Sequence, residues 1–348
     1  MSRRWPAEWE PHEATWLGWP HHEPDWPGKF EPIPWVFAEI VRVLHRHERI
    51  EILCHTEVVR AEAERMLAAH GVDRAGFRLH SVPSDRVWLR DSGPTGVYGT
   101  RGFEWVRWAF NAWAKYDNYQ KDEGIARAVA DISAEPDVVA LRPDGAGRLV
   151  LEGGGIEGNG AGTLMVTEEW LLSEVQVRNP GMTRADYERA FREYLGVERT
   201  IWLGEGAVGD DTHGHIDDVA RFVDPNTVVL TWEPDPEDEN HARMADNLRR
   251  LELASKSVPG GLRVVKLPFP RPVVMEGERL PASYANFYIA NGVVVVPTFN
   301  DPGDRIALNT LAELFPDRAV VGIHSVDLIW GLGSLHCLSQ QQPAANGR

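Results

Sequence analysis

The stretch Asp210-Asp211-Thr212-His213-Gly214-His215-Ile216-Asp217-Asp218 packs two histidines and four acids into nine residues. Two chemistries use such a cluster. One is a metal ion held by His and Asp side chains. The other is a cationic substrate held by carboxylates, with a histidine as acid and base. In an extended segment, residues two apart face the same side. His213, His215 and Asp217 would then point together. The bland alternative is a solvated acidic loop.

Four other segments stand out from ordinary scaffold. Trp88-Leu89-Arg90-Asp91-Ser92-Gly93-Pro94 sets a Trp, an Arg and an Asp before a Gly-Pro turn, where sites tend to collect; an Arg90–Asp91 ion pair at a turn would explain it equally well. Leu151-Glu152-Gly153-Gly154-Gly155-Ile156 lets backbone approach a ligand closely. It lacks the Lys-Ser/Thr of a phosphate loop. Pro297–Asp304 reads as a turn after an apolar strand. Gly331-Leu332-Gly333-Ser334-Leu335-His336-Cys337-Leu338 places a thiol beside a histidine in a Gly-rich setting. Cys54, by contrast, ends the apolar run Ile50-Glu51-Ile52-Leu53 and reads as a small core residue. A nucleophilic thiol needs a partner that tunes it, typically a histidine from elsewhere in the chain.

Together these segments offer a thiol (Cys337), an acid or base (His215) and three carboxylates (Asp91, Glu152, Asp217). Buried carboxylates in such number need a cation. The spacing His-x-His-x-Asp-Asp resembles the metallo-β-lactamase ligand motif, with Asp218 where that family usually has His. This supports a zinc-dependent hydrolase on His213, His215 and Asp217 as an alternative. Downstream, only His241, His324 and His336 remain as histidine ligands, none in a Gly-His context. A planar guanidinium, paired bidentately with carboxylates, fits the inventory better.

Composition bounds the rest. The chain has 348 residues and a formal charge of −16, with no Lys/Arg block. Nucleic acid is therefore not the expected partner, since phosphate binding needs a basic stripe. Nowhere do 18 uncharged apolar residues run together, so no membrane span is expected. Two cysteines are too few for a disulfide framework, and a cytoplasmic setting is the expectation. Most of the 14 tryptophans are expected in the core.

β-branched and aliphatic runs predict strands at Arg49–Cys54, Thr163–Val166, Thr227–Trp232, Arg263–Leu267, Phe287–Ile289, Gly292–Pro297 and Ala319–Ile323. Helical spacing predicts helices at Val36–His47, Val58–His70, Thr183–Leu195, Asp238–Ala254 and Arg305–Leu314. Their alternation indicates an α/β class. No linker and no fixed-period repeat is visible, so one domain over 1–348 is expected. The polar tail Gln340–Arg348 is expected to fray.

Seven segments, in order, resemble the agmatine deiminase and bacterial-type peptidylarginine deiminase family of the guanidine-modifying (pentein) superfamily. They are Pro6-Ala7-Glu8-Trp9-Glu10-Pro11-His12-Glu13-Ala14-Thr15-Trp16, Trp88-x-x-Asp91-x-Gly93-Pro94, Phe110-Asn111-Ala112-Trp113, Glu152-Gly153-Gly154, Gly214-His215-Ile216-Asp217, Ser283-Tyr284-Ala285-Asn286-Phe287-Tyr288-Ile289 and His336-Cys337-Leu338-Ser339-Gln340-Gln341-Gln342-Pro343. The resemblance implies a five-bladed pseudo-symmetric α/β-propeller of ββαβ units. It implies a hydrolase that deiminates a guanidino compound, with agmatine to N-carbamoylputrescine as the leading case and peptidylarginine as the alternative. Cys337 matches the nucleophile and His215 the acid/base. Asp91 and Asp217 match the guanidinium-binding carboxylates, and Glu152 the acid that supports His215. Trp88 matches a channel aromatic. Asp211, four residues before His215, matches an acid that meets a terminal amine. No metal or organic cofactor is implied, and a homo-oligomer is left open. The chain departs from the pattern at Gly331-Leu332-Gly333-Ser334-Leu335, where agmatine-specific members have Gly-Gly-Gly-Asn-Ile. It departs again at Ala114-Lys115-Tyr116-Asp117-Asn118-Tyr119. Both loops would shape the far end of the pocket.

Overall fold

Val293–Thr298 reads Val-Val-Val-Val-Pro-Thr and is buried over its first five residues. β-branched side chains suit such a doubly covered strand. It lies antiparallel to Tyr288–Ala290 and parallel to Ala319–His324. The helix Pro302–Leu314 forms the crossover. Its start is dictated locally: Asp301 accepts a hydrogen bond from the Gly303 N–H, Asp304 completes a capping box, and Pro302 sits in the first turn. The turn expected at Pro297–Asp304 is this helix start.

A computed structural model describes residues 3–345, and the same plan recurs in it. Thr95–Gly99 pairs antiparallel with Gly102–Arg107, which runs parallel to Asp137–Val139. Glu157–Gly158, Thr163–Thr167 and Arg199–Leu203 repeat it. So do Ala220–Asp224, Thr227–Trp232 and Arg263–Pro268. The helices Ile125–Ser133, Arg184–Leu195 and Glu239–Ser255 are the matching crossovers. In the four-stranded sheet the antiparallel partner comes from the far end of the chain. Ser339–Pro343 pairs with His12–Gly18, which runs parallel to Arg49–Cys54 and then Phe77–Ser81.

That pairing corrects the expectation for the tail Gln340–Arg348. Residues 340–343 are a buried strand. Their polar side chains are held rather than solvated: Gln341 accepts from Arg90, and Gln342 from the Trp16 indole. Residues 346–348 lie outside the described residues.

The expected strands stand within one residue of their predicted ends. The first helix spans Ile33–Leu44, earlier than predicted, because Pro34 sits in its first turn, where proline is favoured. Several strands give no signal in the sequence. His12–Gly18 and Ala220–Asp224 carry polar residues that are buried only because a distant partner meets them: Thr15 bonds Tyr288, and Arg221 bonds Glu157. Of the tryptophans, Trp35 alone is classed as exposed among the described residues.

Candidate active site

Each of the five larger sheets is led into by a short turn or loop, and these carry the chemistry. Leu89–Ser92 precedes Thr95–Gly99 and holds Asp91. Gly153–Gly155 precedes Glu157–Gly158, with Glu152 at its start. Ile216–Asp218 precedes Ala220–Asp224 and holds Asp217, with His215 just before it. Leu335–Leu338 precedes Ser339–Pro343 and holds Cys337. Asn286 lies just ahead of Tyr288–Ala290. Equivalent positions of one repeated plan thus supply one cluster.

The cluster is buried and tightly wired. Cys337 Sγ lies 3.6 Å from Asp217 Oδ2 and accepts a hydrogen bond from Asn286 Nδ2 at 3.1 Å. His215 Nδ1 stands 3.8 Å from Asp91 Oδ1, and its Nε2 stands 3.9 Å from Glu152 Oε2. The Trp170 indole meets the His215 ring edge-on, with centroids 5.4 Å apart. Asp91 accepts from the Gly154 N–H (3.0 Å) and the Trp113 indole (2.9 Å). Glu152 accepts from the Trp170 indole and Arg178 Nε, each at 2.9 Å. Asp217 Oδ2 bonds His336 Nδ1 at 2.8 Å. Among the described residues, three buried atoms here have no hydrogen-bond partner: both ring nitrogens of His215 and Asp217 Oδ1. Buried polar atoms are rarely left so, and a ligand is one explanation.

Like charges packed together shift one another. Burial pushes Asp91 up to about 6; His215 opposes this, while Asp217 and Glu152 add to it. Burial works against the charge on His215. The carboxylates of Asp91, Glu152 and Asp217 outweigh it and raise the imidazole to about 9. Burial also works against the Glu152 carboxylate, but Arg178 and His215 hold it down at about 2. Burial, then the charges of Asp217, Asp218 and Asp91, pushes the Cys337 thiol well up. Cys54 is raised to about 12 chiefly by burial and faces none of these groups.

A cavity of about 540 Å³ opens onto Cys337 and Asp91, and Trp88 and Trp113 form part of its wall. That is the size of a small-molecule site. His215, Glu152 and Asp217 stand behind this wall, each at most 1% exposed. Asp211 lines the cavity farther out. It is not free to receive an amine: Oδ1 takes the Lys115 ammonium, and Oδ2 the Tyr116 hydroxyl at 2.8 Å.

Two expectations need correction. His213 does not join His215. Its backbone is left-handed (φ 65°), and its ring bonds Ser173 at 3.0 Å in a separate cavity with Glu168 and Glu169. No group of three or more His, Cys, Asp and Glu among the described residues is placed to hold a metal ion, so the proposed zinc triad does not form. Arg90 does not pair with Asp91 either. It donates to Gln341 (2.7 Å) and to Glu8 (3.3 Å).

Several residues of the network were not singled out from sequence. Glu8, Asn286 and His336 lie inside the quoted segments, but nothing local marks them as parts of the site. Arg178 lies outside every segment and is fully buried against Glu152. The close approach expected of the three glycines is seen at Gly154. A Cβ on Gly154 would fall 2.6 Å from His215 Nδ1 and 2.9 Å from Asp91 Oδ1.

Comparison with known proteins adds to this geometry. The profile of the Porphyromonas-type peptidyl-arginine deiminases matches residues 4–343. The agmatine deiminase of Pseudomonas aeruginosa strain LESB58 is 36% identical, over 98% of this chain and 95% of its own length. That of Ectopseudomonas mendocina strain ymp is also 36% identical, over 98% and 96%. The solved agmatine deiminase of Enterococcus faecalis superposes with a TM-score of 0.88 at 28% identity, over 99% of this chain and 96% of that one.

Proposed function

Since the chain belongs to the family of Porphyromonas-type peptidyl-arginine deiminases, we propose that it hydrolyses the guanidino group of agmatine, giving N-carbamoylputrescine and ammonia. Relatives named agmatine deiminase, matched nearly end to end, support that substrate. The observation that carries the reading is one buried cluster that holds the Cys337 thiol, 3.6 Å from Asp217 Oδ2, together with the unpartnered ring nitrogens of His215 and the unpartnered Asp217 Oδ1.

The guanidinium binds with its N–H groups toward Asp91 and Asp217, planar donors against carboxylates. Its positive charge offsets the carboxylates that hold the Cys337 thiol protonated, so binding favours the thiolate and the thiol's proton passes to solvent. The thiolate attacks the guanidinium carbon and forms a C–S bond. His215 gives its proton to one nitrogen of the tetrahedral adduct. The C–N bond breaks and ammonia leaves, with an amidino group on sulfur. His215, now neutral, takes a proton from water as its oxygen attacks the same carbon. The C–S bond breaks, the hydroxyl proton of this second adduct returns to the Cys337 sulfur, and the ureido product is released. Glu152 holds His215 in its charged form. The substrate supplies its own electrophilic carbon, so no step draws on a metal or cofactor.

We read the five sheets of three or four strands as blades of one α/β-propeller forming a single catalytic domain. Its closure by residues 339–343 on residues 12–18 supports that reading. Among the described residues, no helix is long and apolar enough to cross a membrane. A thiol nucleophile suits a reducing compartment, and we place the activity in the cytoplasm. The test is a panel of agmatine, arginine and a peptidylarginine, assayed for ammonia and for ureido product. Agmatine should be the best substrate. Faster release from the peptide would overturn the choice of substrate, and no release from any would overturn deimination.

A further inference from the structure

The loop after Phe110 departs from the usual backbone. Ala112, Trp113 and Ala114 take φ of 49°, 59° and 53°, three successive non-glycine residues in the left-handed region. Each is unfavourable alone and persists only where its surroundings hold it. Here the holds are visible. Asn111 Oδ1 accepts from the Ala114 N–H at 3.0 Å. The Trp113 indole donates to Asp91. Gln176 Nε2 bonds the carbonyls of both Trp113 and Asp211, each at 3.1 Å. The next two residues, Lys115 and Tyr116, close on the Asp211 carboxylate.

The loop therefore ties Asp91 at the bottom of the cavity to Asp211 on its wall. What it delivers to Asp211 is a primary ammonium on a four-carbon chain. A substrate such as agmatine carries the same tail beyond its guanidino group. The other cations on this wall are engaged elsewhere: Arg86 with Asp25 at 3.2 Å, and Arg279 with Asp238 at 2.8 Å. Glu278 lines the same cavity and is exposed, with no ion pair among the described residues.

We propose that Lys115 is a specificity-determining residue: its ammonium occupies Asp211 as a built-in competitor, so a substrate with a distal ammonium must displace it, while a guanidino substrate with a neutral tail need not. This rests on the deimination proposed above. The Lys115 side chain is about two-fifths exposed. Such half-exposed pairs are weak, so the competition is modest and the substrate wins at sufficient concentration.

The test compares agmatine with n-butylguanidine, which keeps the guanidinium and the four-carbon tail but lacks the amine. In the full chain, Lys115→Met should lower the KM for agmatine about three- to tenfold relative to that for n-butylguanidine. Adding Asp211→Asn to Lys115→Met should erase that gain. An equal shift for both compounds means a general charge effect and overturns the proposal, as does an unchanged KM ratio. A KM ratio that moves with Glu278→Gln but not with Lys115→Met places the amine at Glu278 and also overturns it. Ammonia release by wild type from neither compound is a different failure, and it removes the underlying deimination as well.

Discussion

Glu8 and His336 stand 328 positions apart and share a hydrogen bond of 2.9 Å between Oε2 and Nε2. The other ring nitrogen of His336 bonds Asp217, which lies against the Cys337 sulfur. Glu8 also accepts from Arg221 at 2.9 Å. Burial opposes its charge, but Arg221, His336 and Arg90 keep Glu8 well below the usual carboxylate range. Burial likewise opposes the charge on Asp217, and His336 leads the groups that lower it. His336 is thus held between two carboxylates, one from each end of the chain, and positions Asp217.

Glu8→Gln should therefore act at a distance. It removes one charge from a buried ionic network, which costs about 3–5 kcal/mol when a partner is left behind. Urea denaturation measures that loss. Under folded conditions kcat should also fall about tenfold, with KM for agmatine changed less, because Glu8 touches no substrate. Wild-type kcat in folded Glu8→Gln would show that this link positions nothing.

Gly154→Ala should fold and yet lose turnover by about 10²-fold or more. The added Cβ would meet His215 Nδ1 and Asp91 Oδ1 inside normal contact distance, and displacing a reacting group by about 1 Å is costly. Circular dichroism and ammonia release, measured on one preparation, check both halves. Retained activity would mean that the close approach does not matter.

The two cysteines should behave oppositely. Cys337→Ala should reduce turnover about 10³-fold or more, as loss of a nucleophile does. Cys54→Ala should keep it, because that thiol faces only the core beneath Arg49–Cys54. Iodoacetamide should label neither quickly at pH 7, since both thiols are raised. Fast labelling of Cys337 in the free protein would contradict the raised thiol.

The pH profile follows from Asp91 and His215. Asp91, at about 6, takes up a proton as pH falls below that value and stops attracting the guanidinium. kcat/KM for agmatine should then decline with a midpoint near pH 6. His215, at about 9, keeps its proton through neutrality. The rate should not drop near 6.5 on the alkaline side, the ordinary histidine value. A profile falling between pH 7 and 8 would show that His215 is not held charged.

Arg178→Gln removes the cation from Glu152, and both are fully buried. Glu152 should rise from about 2. Stability should fall by about 3–5 kcal/mol, as urea denaturation would show. Unchanged stability would mean that Arg178 is not needed to hold the buried Glu152 charge.

Most of the regular structure was legible in the sequence because its causes are local. Val293–Thr298 is a strand through β-branched side chains, and Pro302–Leu314 begins at an Asp cap and a proline. The segments holding Asp91, Glu152, His215, Asp217 and Cys337 could also be read, since each is odd for scaffold and their order resembles one family. The strand Ser339–Pro343 could not. Three glutamines and a serine say solvent until Trp16 and Arg90 are seen to meet two of them.

The family, the α/β class and the supply of thiol, imidazole and carboxylates can be read along the chain, because motifs and hydrophobic periods are properties of neighbouring residues. Which of these groups work together is set by the folded molecule. It turned His213 away from His215, set Lys115 on Asp211, and joined Glu8 to His336. Those outcomes depend on through-space distances between residues far apart in the chain. Such distances exist only once the last strand has paired with the first and the turns that lead into the sheets have come together.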